Sequence, residues 1–326
     1  MLRLVLLSLV LAVVPAAAAE SYADREAVRS FIAEMRERHG FAPEQLTEWF
    51  GQARTLPAVL KAIQPPAVPG LRSWRAYRAR FVDDRRISGG VRFWREHADA
   101  LAEARKRYGV AEEIVVAIIG IETIYGRRSG NVETFSALAT LAFDYPPRAE
   151  LFRHELEELL LLAREEQRSP LAYRGSYAGA IGLPQFLPSS VRRYAVDFDG
   201  SGHVDLLDSP VDAIGSIAHF LNEHGWQAEG PLSALARVDA TRCQGLLAAG
   251  IQPRETPSEM AANGVSAAGA PERPAALIDL PTPNEPTEYR LGYKNFYVLT
   301  RYNRSSFYAA AVSDLAQALV EARPAR

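Results

Sequence analysis

The stretch that decides the fold reads Val110-Ala-Glu-Glu-Ile-Val-Val-Ala-Ile-Ile-Gly-Ile-Glu-Thr-Ile-Tyr-Gly126. Every residue from Ile114 to Ile121 is apolar or glycine, so a helix here has no polar face and is predicted to be buried on all sides. Glu122 follows directly. Burial and the negative end of the helix dipole both disfavour its charged form, which predicts a raised pKa and a general acid. A glutamate that simply reaches solvent at a helix end would fit this stretch equally well.

The composition of the chain is that of an ordinary globular protein. It has 326 residues, of which 48% are hydrophobic and 23% charged, and its formal net charge is -2. This length allows one large hydrophobic core or two modest ones. There is no basic excess, so we expect no nucleic-acid partner.

The first residues have the pattern of a secretory signal peptide. Met-Leu-Arg is followed by an apolar run from Leu4 to Val14 and by small residues up to Ala19, which predicts a signal peptide over residues 1–19. The run is shorter than the roughly 20 residues that span a bilayer, so no transmembrane segment is expected. No cysteine follows it to accept lipid, and the sole cysteine, Cys243, cannot form an intrachain disulfide. The sequence therefore predicts a periplasmic protein that is not a lipoprotein.

Hydrophobic periodicity predicts a mainly α fold with four regions after the signal peptide. Residues 20–108 form an N-terminal helical region, and residues 109–230 form a helical core around Glu122. Residues 231–293 have short strand-like pieces and predict a small inserted β subdomain. Its middle, residues 254–274, is poor in large apolar residues and is predicted to be partly disordered. Residues 294–326 predict a C-terminal helix that returns to the core.

A glycine-rich segment follows the central helices. It reads Gly175-Ser-Tyr-Ala-Gly-Ala-Ile-Gly-Leu-Pro-Gln-Phe-Leu-Pro-Ser-Ser190 and carries no charge. Such a segment is typical of irregular backbone that closely approaches another surface or a ligand. Its few polar groups include Ser176 and Gln185. A buried turn packed between helices is the alternative, and both interpretations stay open on this evidence.

The next motif, Asp197-Phe-Asp-Gly-Ser-Gly-His-Val-Asp-Leu-Leu-Asp208, is typical of a calcium loop of the EF-hand type. Oxygen donors stand at alternate positions and glycine stands at the sixth. Ser201 at the fifth position and an aspartate at the twelfth depart from the pattern, so we expect modest affinity. A solvated acidic turn is the alternative.

Five motifs in the same order resemble the lytic murein transglycosylase B family. The resemblance covers the chain from Phe31 to Ala318. The motifs are Ile119-Gly-Ile-Glu122-Thr-x-Tyr-Gly126, Phe143-Asp-Tyr-Pro-x-Arg148, the glycine-rich segment from Gly175, Asp197-Phe-x-Gly-x-Gly-His203 and Arg301-Tyr-Asn303-x-Ser305.

The resemblance implies a lysozyme-like helical core with an added N-terminal helical domain and a small inserted β subdomain. Enzymes of the family cleave the β-1,4 bond between N-acetylmuramic acid (MurNAc) and N-acetylglucosamine (GlcNAc) in peptidoglycan and leave 1,6-anhydroMurNAc ends. Glycan strands are the implied partner, and other cell-wall enzymes are possible partners. Calcium is the implied structural ion, and no organic cofactor is expected.

The resemblance also assigns roles to residues of this chain. Glu122 corresponds to the catalytic acid and base. The implied substrate-binding residues are Tyr77, Arg148, Ser176, Gln185, Tyr302, Asn303 and Tyr308, with Ser176 and Asn303 on the muramyl N-acetyl group. The implied calcium ligands are Asp197, Asp199, Ser201, His203 through its carbonyl, and Asp212. Whether Asp208 or Asp212 is the last ligand stays open at this point.

Two other functions compete with the transglycosylase interpretation. A hydrolytic muramidase would use Asp144 or another acid to activate water, because most glycosidases use two carboxylates. A calcium-stabilised peptidoglycan-binding protein would need no acid at all. An intact Glu122 motif argues against the binding protein, since a buried acid gives it no advantage.

Overall fold

The computed structural model describes residues 21–64 and 72–323 of the chain. The predicted signal peptide, residues 1–19, lies outside the described residues. The chain forms two compact units, with the boundary between Arg54 and Thr55. Among the residues described, no helix is long and apolar enough to cross a membrane.

The first unit contains a short 3-10 helix, Tyr22–Asp24, and the helices α1 (Glu26–His39) and α2 (Pro43–Gln52). Gly40 ends α1 in the left-handed conformation at φ 69°, and Pro43 begins α2 at a position where its missing N–H costs nothing. The apolar faces of the two helices meet, with the rings of Phe31 and Phe50 edge to face at 6.0 Å.

The second unit is mainly helical. Its helices up to the central pair are α3 (Pro57–Ile63), α4 (Trp74–Phe81), α5 (Asp84–Glu96), α6 (Ala98–Tyr108), α7 (Glu112–Thr123) and α8 (Thr134–Asp144). The later helices are α9 (Ala149–Glu165), α10 (Pro188–Tyr194), α11 (Pro210–Glu223), α12 (Gln244–Ala248), α13 (Pro257–Ala261), α14 (Lys294–Tyr302) and α15 (Ser306–Ala322). The strands are β1 (Val132–Glu133), β2 (Arg174–Gly175), β3 (Ser233–Val238), β4 (Val265–Ser266), β5 (Ala276–Leu280) and β6 (Glu288–Gly292).

Helix α7 lies at the centre of this unit. Every residue from Ile114 to Ile121 is buried, as the sequence predicts. Helices α5, α6, α11 and α15 pack around it. Because α7 is enclosed on all sides and ends at Thr123, Glu122 is held in its last turn by a rigid scaffold.

The small β subdomain is an antiparallel sheet with the strand order β4-β3-β6-β5. The predicted disorder of residues 254–274 is not what the structure shows, because this segment contributes α13 and β4. Met260 and Val265 are buried in the core of the subdomain, and Thr256 forms a capping box with Glu259 at the start of α13. Composition alone misses this because two apolar anchors and a cap are enough to order a short segment.

The C-terminal region differs from the single predicted helix over residues 294–326. It consists of α14 and α15, which are separated at Asn303. Asn303 is extended, with φ −141° and ψ 122°, and the Ser305 hydroxyl caps α15 by accepting from the N–H of Tyr308. The remaining predicted region boundaries, at residues 108 and 230, stay predictions.

Candidate active site

Glu122 is a partly buried carboxyl group in the last turn of α7. The hydroxyl of Tyr308 donates a hydrogen bond of 2.8 Å to its Oε1 atom. Burial raises the pKa of Glu122 to about 7, and the hydrogen bond from Tyr308 opposes part of this rise by stabilising the charged form. Near neutral pH the carboxyl group of Glu122 is therefore protonated in some molecules and charged in others.

An unusual turn follows Glu122. Ile124 and Tyr125 both have left-handed backbone, with φ 53° and 57°. This conformation is rare for residues other than glycine, and rarest for β-branched ones such as isoleucine. The Thr123 hydroxyl stabilises the turn by accepting a hydrogen bond of 3.0 Å from the N–H of Gly126. Non-glycine strain of this kind is typical of functional sites.

Tyr125 fixes this turn against helix α5, and the sequence did not predict this. Its hydroxyl donates to the Arg86 carbonyl at 2.8 Å, and the Arg86 Nε donates to the Gly120 carbonyl at 3.0 Å. The phenol oxygen lies 2.4 Å from where a Cβ would be built on Gly90 or on Gly120. Both positions must therefore stay glycine for the ring to enter between the helices. In the sequence, the glycines at positions 90 and 120 are the feature that could have indicated this contact.

Three tyrosines surround Glu122. The rings of Tyr302 and Tyr308 stack with centroids 6.2 Å apart and an interplanar angle of 8°. The pKa of each is raised, first by burial and then by the nearby Glu122 charge. Tyr77 belongs to the same group, since burial and then the Glu122 charge raise its pKa. The structure thus brings together Tyr77, Tyr302 and Tyr308, three of the residues that the family resemblance implies for substrate binding, and that role stays a prediction.

The glycine-rich segment packs against the end of α7. The Thr123 hydroxyl lies 3.5 Å from the Leu183 carbonyl, and the Tyr302 hydroxyl donates to the Pro184 carbonyl at 2.5 Å. A Cβ on Gly182 would lie 2.3 Å from the Leu206 carbonyl oxygen. The segment is therefore a close-packed turn that also lies beside the acid, and contact of this turn with a ligand stays a prediction.

Gln185 uses its side chain to hold this turn. Its Nε2 donates to the carbonyls of Ser129 at 3.0 Å and Gly182 at 2.8 Å, and its backbone is left-handed at φ 52°. The amide N–H groups are thus occupied by the backbone. The side-chain carbonyl oxygen of Gln185 is the atom that remains available to contact a substrate directly.

Ser176 differs from Gln185 because its hydroxyl acts as an acceptor of hydrogen bonds from the backbone. Its Oγ accepts hydrogen bonds from the N–H of Ala178 at 3.3 Å and of Ala180 at 3.1 Å. A hydroxyl has two acceptor lone pairs and one proton. Because both lone pairs are used, the O–H proton of this partly exposed side chain is the part available to a ligand.

Asn303 and Arg148 are exposed. Asn303 lies in the break between α14 and α15, directly after Tyr302, so it is next to the tyrosine group. Arg148 ends a 3-10 helix, Pro146–Arg148, and its guanidinium lies 5.3 Å from the centre of the Phe152 ring. Within the described ranges we find no contact between Arg148 and Glu122.

The small β subdomain anchors the helix that carries Tyr77. The N–H of Trp74 donates to the Pro281 carbonyl at 2.8 Å, and its indole N–H donates to Glu288 at 3.3 Å. The Arg290 guanidinium lies 5.4 Å from the Trp74 ring centre and pairs with Asp314 on α15 at 2.6 Å. This largely buried cluster joins α4, the sheet and α15, and so fixes where Tyr77 stands.

The predicted calcium loop forms a cluster of carboxylates. Oxygen atoms of Asp197, Asp199 and Asp212 lie within 4.8 Å of one another. Asp212 is fully buried at 0% exposure, and Asp208 is exposed. The structure thus places Asp212, and not Asp208, in the cluster. An all-oxygen set of this kind suits a hard cation such as Ca²⁺.

The Ser201 hydroxyl and the carbonyl of His203 are close together in the same loop. The hydroxyl lies 3.1 Å from the His203 carbonyl oxygen and 3.1 Å from the ring Nδ1. Gly200 and Gly202 have φ of 75° and 92°, which lets the loop curve around its acidic side chains. All five predicted ligands therefore lie on one tight loop and the first turn of α11.

Fold and site together define an enzyme of the glycosidase type. A carboxylic acid whose pKa is raised to about 7 is the general acid that cleavage of a glycosidic bond requires. Tyr77 and Tyr302, both partly exposed, provide flat faces of the kind on which sugar rings stack.

Comparison with known proteins identifies the family. The chain matches the transglycosylase SLT domain family over residues 23–317. It is 41% identical over 317 residues to the membrane-bound lytic murein transglycosylase B of Escherichia coli strain K12, covering 93% of this chain and 85% of that one. The chain therefore belongs to this transglycosylase family, as its motifs predicted.

Solved structures agree with this assignment. The soluble lytic transglycosylase SltB1 from Pseudomonas aeruginosa is 45% identical with a TM-score of 0.85, covering 92% of this chain and 100% of that one. The Escherichia coli lytic transglycosylase Slt35 in complex with calcium is 41% identical with a TM-score of 0.83, covering 93% and 95%. SltB3 from Pseudomonas aeruginosa in complex with NAG-anhNAM-pentapeptide is 31% identical with a TM-score of 0.77, covering 90% and 79%. The predicted mainly α, lysozyme-like fold is confirmed.

Proposed function

We propose that this enzyme cleaves the β-1,4 bond between MurNAc and GlcNAc in peptidoglycan and leaves a 1,6-anhydroMurNAc end. Membership of the transglycosylase family supports the reaction class. The observation that carries the residue assignment is the single acid Glu122, with its pKa raised to about 7 and its Tyr308 hydrogen bond. Within the described part of the chain, no other carboxylate perturbs the pKa of Glu122.

The reaction needs only one acid because the substrate supplies the second group. Protonated Glu122 gives its proton to the glycosidic oxygen, the bond from that oxygen to C1 of MurNAc breaks, and GlcNAc leaves with the proton. The 2-acetamido carbonyl stabilises the positive charge at C1 in place of a second carboxylate. The Glu122 carboxylate then takes the proton of the C6 hydroxyl, and the C6 oxygen bonds to C1. No water is consumed, and Glu122 ends protonated as it began.

The surrounding side chains position the sugar for these steps. Tyr77 and Tyr302, both partly exposed, offer ring faces beside the acid, and orientation of this kind lowers the barrier without taking part in proton transfer. Tyr308 is 1% exposed and acts through its hydrogen bond to Glu122. Ser176 donates its free O–H to the acetamido carbonyl, together with the amide of Asn303. The exposed Arg148 and the carbonyl oxygen of Gln185 are the more distant substrate contacts in this proposal.

The products distinguish this proposal from its alternatives. Mass analysis of muropeptides released from purified sacculi should give species one water lighter than the products of a hydrolase. Reducing ends would instead indicate a muramidase that uses Asp144 or another acid. An absence of released muropeptides would indicate a protein that only binds peptidoglycan.

The first kinetic prediction concerns pH. Because Glu122 must be protonated to begin the reaction, kcat/KM should fall as pH rises through about 7. Tyr308→Phe removes a hydrogen bond that lowers the pKa of Glu122, so the alkaline limb should move to higher pH. Tyr302→Phe is the matched control, because that hydroxyl donates to Pro184 and not to Glu122. A downward shift in Tyr308→Phe would contradict the assignment.

The second kinetic prediction concerns Ser176. Ser176→Ala should lower kcat about tenfold, because one hydrogen bond to a group that gains charge in the transition state is lost. Steady-state kinetics on glycan strands measure the change, and circular dichroism checks that the turn from Gly175 survives. Unchanged kcat with a raised KM would show that Ser176 binds the ground state and the transition state equally, which contradicts a role specific to the transition state.

We also propose that the acidic loop binds a structural calcium ion. Asp197, Asp199 and Asp212 would supply carboxylate oxygens, with the Ser201 hydroxyl and the His203 carbonyl completing the set. The bound ion would neutralise charges that repel one another in a tight loop and so stabilise the fold. No step of the reaction passes through it.

The proposed substrate, peptidoglycan, determines the cellular location and the binding partners that we propose. Peptidoglycan strands carrying short peptides are the partner, and the leader pattern over residues 1–19 supports a periplasmic enzyme. Fractionation of cells that express the full chain tests the location by whether the protein leaves with the periplasmic contents. Association with other cell-wall enzymes remains part of the proposal.

A further inference from the structure

A second pocket lies between the small β subdomain and the first turns of α14. It encloses about 370 Å³, within the size range of small-molecule sites. Its lining is mixed, with prolines and tyrosines as the apolar part and amides and cations as the polar part, and no acidic residue of the described chain lines it. The lining residues are Gln227, Pro231, Gln252, Pro253, Arg273, Pro274, Tyr293, Lys294 and Tyr297.

The pocket is positively charged in a protein of net charge -2. Arg273 and Lys294 line it, and in the described ranges neither forms an ion pair with a carboxylate. The neighbouring Glu272 does not line the pocket, and its Oε1 accepts from the N–H of Ser258 at 3.2 Å. It is still near the pocket, since burial and then the Glu272 charge raise the pKa of Tyr293. Two cations without anionic partners fit an anionic ligand, because an opposite charge between them lowers their mutual repulsion.

Buried hydrogen bonds hold the walls in place. Asn295, 1% exposed, accepts from the N–H of Gln227 at 2.8 Å and donates to the Gln227 carbonyl at 2.8 Å. The hydroxyl of Tyr293, also 1% exposed, donates to the Pro271 carbonyl at 3.0 Å and so fixes the segment that carries Arg273. The pocket is therefore pre-formed, which reduces the ordering cost of binding.

Helix α14 joins this pocket to the candidate active site. Lys294 begins the helix and Tyr302, beside Glu122, ends it. Eight residues of α-helix rise about 12 Å. An extended pentapeptide spans about 17 Å, which exceeds the length of α14 between Lys294 and Tyr302.

We propose that this pocket binds the carboxylate-bearing end of a peptide attached to the glycan strand. Arg273 and Lys294 hold the carboxylate, while the prolines and Tyr297 contact the apolar part of the peptide. The amides of Gln227 and Gln252 face its backbone groups. This inference rests on the proposed function, since it assumes that a glycan strand lies at Glu122.

The test compares two substrates and two kinds of variant. Glycan strands that carry their peptides and strands stripped of peptides are digested by wild type and by Arg273→Gln/Lys294→Gln. On peptide-bearing strands, KM should rise about five- to tenfold in the double variant with kcat unchanged, because the contact is equal in ground and transition states. On stripped strands the two proteins should be alike. Arg237→Gln, an exposed charge in the same subdomain, is the control and should behave as wild type.

A third substrate tests the carboxylate itself. Strands whose peptide carboxylates are converted to carboxamides should give wild type the raised KM of the double variant. Equal KM for carboxylate and carboxamide substrates, or a double variant that matches wild type on peptide-bearing strands, would overturn the inference. Failure of the proposed function looks different, because wild type would then release no anhydro products from either kind of strand.

Discussion

Glu122→Gln should reduce the release of anhydro-muropeptides by at least about 10²- to 10⁴-fold, the range typical of general acid–base catalysis. Glutamine keeps the size of the side chain and can still accept the Tyr308 hydrogen bond, but it has no proton to transfer. The loss should appear in kcat, measured by mass analysis of products from purified sacculi over time.

The variant should also fold, which makes its inactivity informative. Burial raises the pKa of Glu122 from 4.5 to about 7, so the folded protein binds this proton more tightly than the unfolded chain does. Wild type therefore loses stability as pH rises between these values, and glutamine does not. At pH 8 the melting temperature of Glu122→Gln should equal or exceed that of wild type.

Glu113→Gln, in the first turn of the same helix, is the control for activity and should keep full activity. An active Glu122→Gln enzyme would overturn the single-acid mechanism.

The parts of the site that could be predicted depend on local pattern. An all-apolar run followed by one carboxylate implies a buried helix with an acid at its end, and the structure has both. The acidic loop was predictable for the same reason, since alternate oxygen donors and glycine at the sixth position are local features. The family resemblance added Tyr77, Tyr302 and Tyr308, which stand far from Glu122 along the chain.

The parts that could not be predicted depend on contacts between distant residues. Tyr308 lies 186 positions from Glu122, and no spacing rule indicates that its hydroxyl meets the acid. The Gln185 amide turned out to bind backbone carbonyls, which only the folded turn reveals. Residues 254–274 are ordered by a few buried side chains, although their average composition resembles that of a flexible segment.

Asp212 is expected to be essential to the stability of the acidic loop. Its buried carboxylate accepts hydrogen bonds from the N–H of Phe198 at 2.8 Å, of Asp199 at 3.1 Å and of Asp205 at 2.8 Å. Asp212→Ala leaves these three donors without an acceptor, at about 1 kcal/mol or more each. The melting temperature should fall by about 5 °C even in the presence of a chelator, since each kcal/mol is worth about 1.5 °C in a protein of about 300 residues.

The same variant separates the metal from the fold. At a calcium concentration about 100 times Kd, binding to the native state adds about 2.7 kcal/mol, so wild type should melt about 4 °C higher with calcium than with chelator. Asp212→Ala should lose this shift, because it removes a ligand as well as the hydrogen bonds. Asp208→Ala should keep it, because the Asp208 side chain is exposed and lies outside the cluster. Scanning calorimetry of the three proteins measures both effects.

Two results would contradict this assignment. A wild type that melts at the same temperature with calcium and with chelator would remove the metal from the proposal. A calcium shift that is lost in Asp208→Ala but kept in Asp212→Ala would make Asp208 the ligand in place of Asp212.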